Sequence, residues 1–276
     1  MPKKSELPFT ATLRFHDELN DFLPKAHREV DFTYDFNGKP SIKDAIEANQ
    51  VPHTEIGCIL VNGIPVDFSY HLLHLDRASI HPVQSPVARS SPLLLRPAPL
   101  PQFIADVHLG KLARYLRLLG FDVVFDQRLD DTGIIRRAVK EQRIILTRDR
   151  KLLHAKVITH GCCLHSQTPL TQLREVIDRY DLQPTLRPFS RCLICNGKLL
   201  EVAKASIIDR LEPKTRIYYD RFRKCDGCGK VYWPGSHFER LKVVLTTAGL
   251  TDAHFLEDRH SADDRGPFSF PPTDSG

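Results

Sequence analysis

Three acidic positions within residues 103–149 have the types and spacing for metal chemistry. Asp106 ends the apolar run Phe103-Ile104-Ala105, and Asp149 stands just past the run Arg143-Ile144-Ile145-Leu146-Thr147. Between them, Asp130 and Asp131 lie just ahead of a helical pattern. In a parallel α/β sheet, groups at the carboxyl ends of strands collect in one crevice, which is where such folds bind ligands. Carboxylates collected there repel one another unless a divalent cation lies between them, and Mg²⁺ or Mn²⁺ takes oxygen ligands. The pattern predicts metal-assisted phosphodiester chemistry. Asp106, Asp131 and Asp149 are the expected catalytic groups and Mg²⁺ or Mn²⁺ ligands, with Asp130 as the alternative middle acid.

A second constellation lies further along. Cys192-Leu193-Ile194-Cys195 and Cys225-Asp226-Gly227-Cys228 are two CxxC pairs separated by 29 residues. Asn196-Gly197 follows the first pair and Gly229 the second, turns that let backbone amides approach thiolates. Four such sulfurs suit a tetrahedral structural Zn²⁺ with no open position for catalysis. Losing one of them is expected to destabilise the C-terminal part before the acidic crevice. Cys58, Cys162 and Cys163 each fall in a strand-like run and read as buried apolar residues.

The elements that must position the acids follow from periodicity. Leu109, Leu112, Ala113, Leu116 and Leu119 recur at helical spacing, Gly120 ends that helix, and Phe121–Phe125 reads as a strand. Asp131 can cap a helix containing Ile134, Ile135, Ala138 and Val139. Arg143–Thr147 is a third strand, Cys162–His165 a fourth, and Leu170–Tyr180 a further helix. This alternation implies a parallel sheet. Glu141 reads as a solvated partner of Arg137, four residues earlier.

The net charge of +5 hides an asymmetry. Residues 1–81 hold 8 Lys/Arg against 12 Asp/Glu, residues 82–250 hold 29 against 16, and residues 251–276 hold 2 against 6. A basic body around an acidic crevice suits a polyanion drawn to a metal site. Lys111, Arg114 and Arg117 recur every third residue beside the apolar stripe and form a candidate basic ridge for RNA. Arg148, Trp233 and His237 are further candidate RNA contacts. No apolar stretch approaches the roughly 18–20 residues of a membrane span, and no signal-peptide core opens the chain. An odd count of 7 cysteines argues against a disulfide framework, so a cytoplasmic protein is expected.

Proline marks the main boundary. Pro82, Pro86, Pro92, Pro97, Pro99 and Pro101 predict an extended linker over residues 84–101. Before it, residues 1–83 read as strand Phe9–Phe15, strand Val30–Phe36, a helix capped by Ser41, strand Cys58–Val61 with a turn at Asn62-Gly63, and strand Ala78–Val83. That order resembles a ubiquitin-like β-grasp domain, available for protein or RNA contact. Residues 102–185 form the α/β domain, 186–250 the ribbon with a C-terminal helix, and 251–276 a polar, acidic tail expected to be disordered.

The stretches F-I-A-D-V-H-L-G-K-L-A-R-Y-L-R-L-L-G-F-D, R-I-I-L-T-R-D, the two CxxC pairs and Y-W-P-G-S-H resemble the Mut-7 C-terminal RNase domain family, a PIN-like nuclease fold carrying a zinc ribbon. The N-terminal region resembles the ubiquitin-like domain fused to it in bacterial members. The resemblance implies metal-dependent ribonuclease activity, with Asp106 and Asp149 matching the family's acids and the middle acid falling in Asp130-Asp131. PIN nucleases often have four acids, and the number of catalytic metals here stays open. The alternative is a catalytically weak RNA-binding adaptor. Phosphatases with a nucleophilic Asp rank third, because their second Asp, two residues on, is here His108.

Overall fold

Alternating apolar residues near the amino end build a hairpin. In the computed structural model, which describes residues 9–93, 95–96, 99–233 and 246, β1 (Phe9–Phe15) pairs antiparallel with β2 (Phe32–Phe36). Leu13 and Phe15 enter the core. Helix α1 (Ile42–Ala48) begins at Ser41, whose hydroxyl accepts from the Asp44 N–H while the Asp44 carboxylate accepts from the Ser41 N–H. This reciprocal cap satisfies two donors that a helix start otherwise leaves open. The Ser41 hydroxyl also holds the Asp44 carboxyl below the usual range.

β3 (Ile56–Val61) turns through Asn62 and Gly63, both at positive φ (52° and 83°), into a short β4 (Ile64–Pro65). Two consecutive left-handed residues are what a two-residue hairpin of matching twist demands. β5 (Arg77–Pro82) runs parallel to β1 and antiparallel to β3, giving the order β2-β1-β5-β3-β4. This is the expected β-grasp, with β4 added.

The segment expected to be an extended linker differs. Ser85 caps a short helix α2 (Pro86–Ser90). Arg96 then donates to the carbonyls of His53 and Thr54, each at 3.0 Å, and to that of Ile56. A guanidinium offers five donors, enough to pin this stretch to three neighbouring carbonyls of one turn.

Past Pro101, strands and helices alternate: β6 (Gln102–Ala105), α3 (Gly110–Leu118), β7 (Asp122–Val124), α4 (Asp131–Glu141), β8 (Ile144–Thr147), β9 (Gly161–Cys163) and α5 (Pro169–Arg179). β6 and β7 pair in parallel with Phe103 opposite Val123, and β8 and β9 in parallel with Leu146 opposite Cys162. All four residues of β8 are buried, as strands of parallel sheets are on both faces. β10 (Leu199–Val202), α6 (Pro213–Tyr218), β11 (Phe222–Cys225) and β12 (Val231–Tyr232) form the ribbon, its strands antiparallel in the order β10-β11-β12. The expected C-terminal helix and tail lie outside the described residues.

The described residues fall into two compact units: those up to residue 100 with 130–163, and 101–129 with those from 164 onward. They cut across the linear domain order, because segment 130–163 packs with the β-grasp. The contact is the buried turn His53–Glu55. The Glu55 carboxylate accepts from the Cys163 N–H at 2.9 Å, and His53 Nε2 donates to the Ile158 carbonyl at 2.8 Å. A Cβ at Gly161 would lie 2.5 Å from Leu153 Cδ2, so a larger residue there would force that buried side chain to move. Arg150 donates to the Asp21 carbonyl at 2.9 Å and lies over the Phe22 ring at 4.7 Å.

His16 and His81 stack at 4.1 Å, and their Nε2 atoms meet the Ser79 hydroxyl at 2.8 and 2.9 Å. Burial, then the charge of His16, lowers the His81 pKa to about 4. An unfolded histidine titrates near ~6.5, so the folded protein binds fewer protons below that pH. The stability carried by the neutral ring is therefore full above pH ~6.5 and is lost as pH falls toward 4. Thermal unfolding should show a melting temperature that declines from pH 7 to pH 4.5, with His81→Gln flattening part of the decline. An unchanged profile in the variant would reject this assignment.

Candidate functional site

Asp106 follows β6, and its carboxylate caps the single 3-10 turn Val107–Leu109 that leads into α3, accepting from the His108 N–H at 3.3 Å. It is only 7% exposed. Asp149 lies two residues past the end of β8. Its N–H donates to the buried Thr147 hydroxyl at 2.9 Å, and its carboxylate accepts from the Lys151 N–H at 2.8 Å. Both bonds are local, so the sequence Thr-x-Asp-x-Lys itself fixes the turn that presents this exposed carboxylate.

At the start of α4 the structure reverses an expected role. Asp130, not Asp131, is the capping residue, and its carboxylate accepts from the Gly133 N–H at 2.8 Å. Asp131 occupies the first helical position, exposed, where the helix dipole favours negative charge. Glu141 is committed to Arg137 and Arg143. Burial pushes its carboxyl up, but the two guanidinium groups hold it below the usual range. Asp106 belongs to one compact unit, and Asp131 and Asp149 to the other.

The four cysteines converge. Among the described residues they are the group of three or more metal-ligating side chains brought together, with all four sulfurs within 4.8 Å of one another. Cys192 and Cys228 Sγ are 3.6 Å apart, and Cys195 and Cys225 Sγ 3.3 Å. A tetrahedral zinc with bonds of about 2.3 Å needs sulfurs roughly 3.8 Å apart, so the cluster could hold zinc with small shifts. Asn196 and Gly229, at φ 69° and 72°, turn the chain back after each pair. The Gly227 and Cys228 amides donate to Cys225 Sγ at 3.3 and 3.5 Å. Gly197 is obligatory, since a Cβ there would lie 2.8 Å from Cys225 Sγ.

The thiols do not titrate alike. Burial raises Cys195, but the Gly197 amide and the neighbouring thiols outweigh it and bring this thiol to about 7. Burial and those neighbours push Cys228 to about 12. The Tyr232 hydroxyl lies 3.0 Å from Cys192 Sγ. Burial and this contact push its pKa up, so it stays a donor to the sulfur.

The expected RNA contacts divide. Lys111 and Arg114 on α3 are exposed, as is Arg148. Arg117 is not: it is 4% exposed and hydrogen-bonded to backbone carbonyls, so it cannot be part of a basic ridge. Trp233 packs on the ribbon core of Ile207, Leu211, Phe222 and Val231, together with Val202 and Tyr219. A ribbon with little interior of its own needs that aromatic surface for folding. His237 lies outside the described residues. Within the ribbon's interleaved basic and aromatic run, a pattern that can stack bases and hold phosphates, Arg216, Tyr218, Arg221 and Lys224 are all exposed. No helix among the described residues is long and apolar enough to cross a membrane.

A β-grasp domain, a parallel α/β sheet and a four-cysteine ribbon together give a PIN-like architecture. The family model described as Mut7-C RNAse domain matches residues 101–245, over half the chain, and that described as Mut7-C ubiquitin matches residues 9–88. The chain belongs to the Mut7-C RNAse domain family. Among curated proteins and among solved structures, none matches it.

Proposed function

We propose that the protein is a metal-dependent ribonuclease that hydrolyses RNA phosphodiester bonds at Asp106, Asp131 and Asp149. The observation that carries this reading is a pair of acids at strand ends, Asp106 immediately after β6 and Asp149 two residues past the end of β8, in a chain of the Mut7-C RNAse family. Mg²⁺ or Mn²⁺ held by these carboxylates would polarise the scissile phosphate and activate water. Asp106 and Asp149 are each pre-oriented by a backbone N–H, so little side-chain freedom is lost on binding. Asp131 is taken as the middle acid, with Asp130, which caps α4 through the Gly133 N–H, as the alternative. The exposed Lys111, Arg114 and Arg148 would hold the RNA backbone beside the acids. The cysteine cluster would carry a structural zinc.

Purified protein should cleave single-stranded RNA with Mg²⁺ or Mn²⁺ present, lose activity in chelator, and regain it when either ion is restored. Activity that survives removal of divalent ions would overturn this mechanism. A second reading, a catalytically weak RNA-binding adaptor, is favoured by one observation: among the described residues only cysteines form a close metal-ligating group. It predicts RNA binding without cleavage under every metal condition.

Binding can be measured separately. Lys111→Glu with Arg114→Glu should weaken RNA binding and make the salt dependence shallower by about 1.4 in log–log slope, the share of two phosphate contacts on a single strand. An unchanged slope would return both residues to the role of solvated surface.

A further inference from the structure

Arg117 is a buried cation that the proposed chemistry does not use. Its guanidinium meets carbonyl oxygens: that of Val123 from Nε and Nη2 at 3.0 and 2.8 Å, and those of Leu193 and Ile194 from Nη1 at 3.1 and 2.9 Å. A buried guanidinium keeps its charge and is costly unless compensated. Burial does lower its pKa, and the charges of Cys192 and Cys195 oppose that effect. Four thiolates around a divalent zinc leave a net charge of about −2, which an adjacent cation balances.

The placement of these bonds gives them a second consequence. Leu193 and Ile194 lie between the ligands Cys192 and Cys195, so Arg117 ties the first cysteine turn to β7 through Val123. Asn196, in the same turn, closes the link from the other side. Its Oδ1 accepts from the Val123 N–H at 3.0 Å, and its Nδ2 donates to Asp122 at 2.8 Å. Within its sheet β7 neighbours β6 alone, so Val123 would otherwise present unpaired groups on an open edge. Upstream of the cysteines, Arg187 N–H donates to Leu119 and Phe189 N–H to Leu118, both at 2.9 Å, at the end of α3. A Cβ at Gly120, which has φ 95°, would lie 2.1 Å from the Arg187 carbonyl oxygen. The cysteine ribbon is thus stitched to the helix that begins just after Asp106.

We propose that metal occupancy of the four-cysteine cluster sets the order of α3 and β7, with Arg117 as the positioning residue that balances the thiolate charge and carries the coupling. This rests on the cluster holding zinc, and not on the ribonuclease reading. It extends the damage expected in the C-terminal part on loss of the zinc site to α3 and β7.

The test uses the full-length, zinc-loaded protein. Amide hydrogen exchange is followed before and after zinc is removed by a chelator. Exchange at Phe121 and Val123 should rise together with that at Asn196, while Leu13 and Ile80 in the β-grasp keep their rates. Chelator competition should show zinc bound about 10- to 100-fold more weakly by Arg117→Met, the range seen for groups supporting metal ligands, with Arg117→Lys recovering part of the loss. Val123 that stays protected after zinc is gone, while Asn196 exchanges freely, would overturn the proposal, as would wild-type zinc affinity in Arg117→Met. Should that variant fail to fold, the exchange experiment on the unmodified protein decides alone. Neither measurement reads RNA cleavage, so a failure here leaves the ribonuclease proposal standing.

Discussion

Asp149→Asn and Asp106→Asn should each lower the rate of RNA cleavage by on the order of 10³-fold while leaving the fold intact. A divalent cation supplies several kcal/mol of transition-state stabilisation, and each ~1.4 kcal/mol is a factor of ten. Exchanging a carboxylate for an amide removes one negative charge from that site. The fold should tolerate the change, because asparagine keeps the oxygen that each backbone donor needs. The Lys151 N–H bonds Asp149, the His108 N–H bonds Asp106, and asparagine caps helical turns as well as aspartate does. Asp131→Asn should behave like these two, whereas Asp130→Asn should retain its cap and most of its activity. Normal cleavage by both Asp106→Asn and Asp149→Asn would place the active site elsewhere.

The second large effect concerns Cys225→Ser. Cys225 is buried, and its sulfur accepts the Gly227 and Cys228 amides. Zinc in such sites contributes roughly 10–16 kcal/mol of apparent binding free energy, comparable to the ~5–15 kcal/mol stability of a whole domain. The ribbon has only a small core around Ile207, Leu211, Phe222 and Val231 to fall back on. The variant should therefore purify with almost no zinc, where the wild type should carry one per chain, and its ribbon should unfold at ambient temperature. Metal analysis with circular dichroism settles this, and one zinc per chain in Cys225→Ser would refute the ligand assignment.

Much of this architecture was legible in local sequence because local bonds determine it. The Ser41 cap, the Asn62-Gly63 turn, the glycines after each cysteine pair and the apolar runs of β6 and β8 each carry their own physical instruction. What escaped was non-local. Nothing near Arg96 announces three carbonyls some forty residues earlier, so a proline-rich stretch read as a free linker. The capping role passed from Asp131 to Asp130 because boundaries set by periodicity are uncertain by a residue or two. Arg117 is the most instructive case. On a helical wheel it lies only about 40° from buried Ala113, whereas Arg114 lies about 100° away. Its place at the edge of the apolar arc was a signal of burial, but its partners, Leu193 and Ile194, are more than seventy residues distant.

We propose that Asp106 and Asp149 each act as a ligand of a divalent cation. Titration of zinc-loaded protein with Mn²⁺, read by the loss of the free-ion paramagnetic resonance signal, tests it most directly. The wild type should bind Mn²⁺ saturably, and Asp106→Asn and, independently, Asp149→Asn should bind it far more weakly, with zinc content unchanged. Equal Mn²⁺ affinity in the wild type and both variants would contradict it.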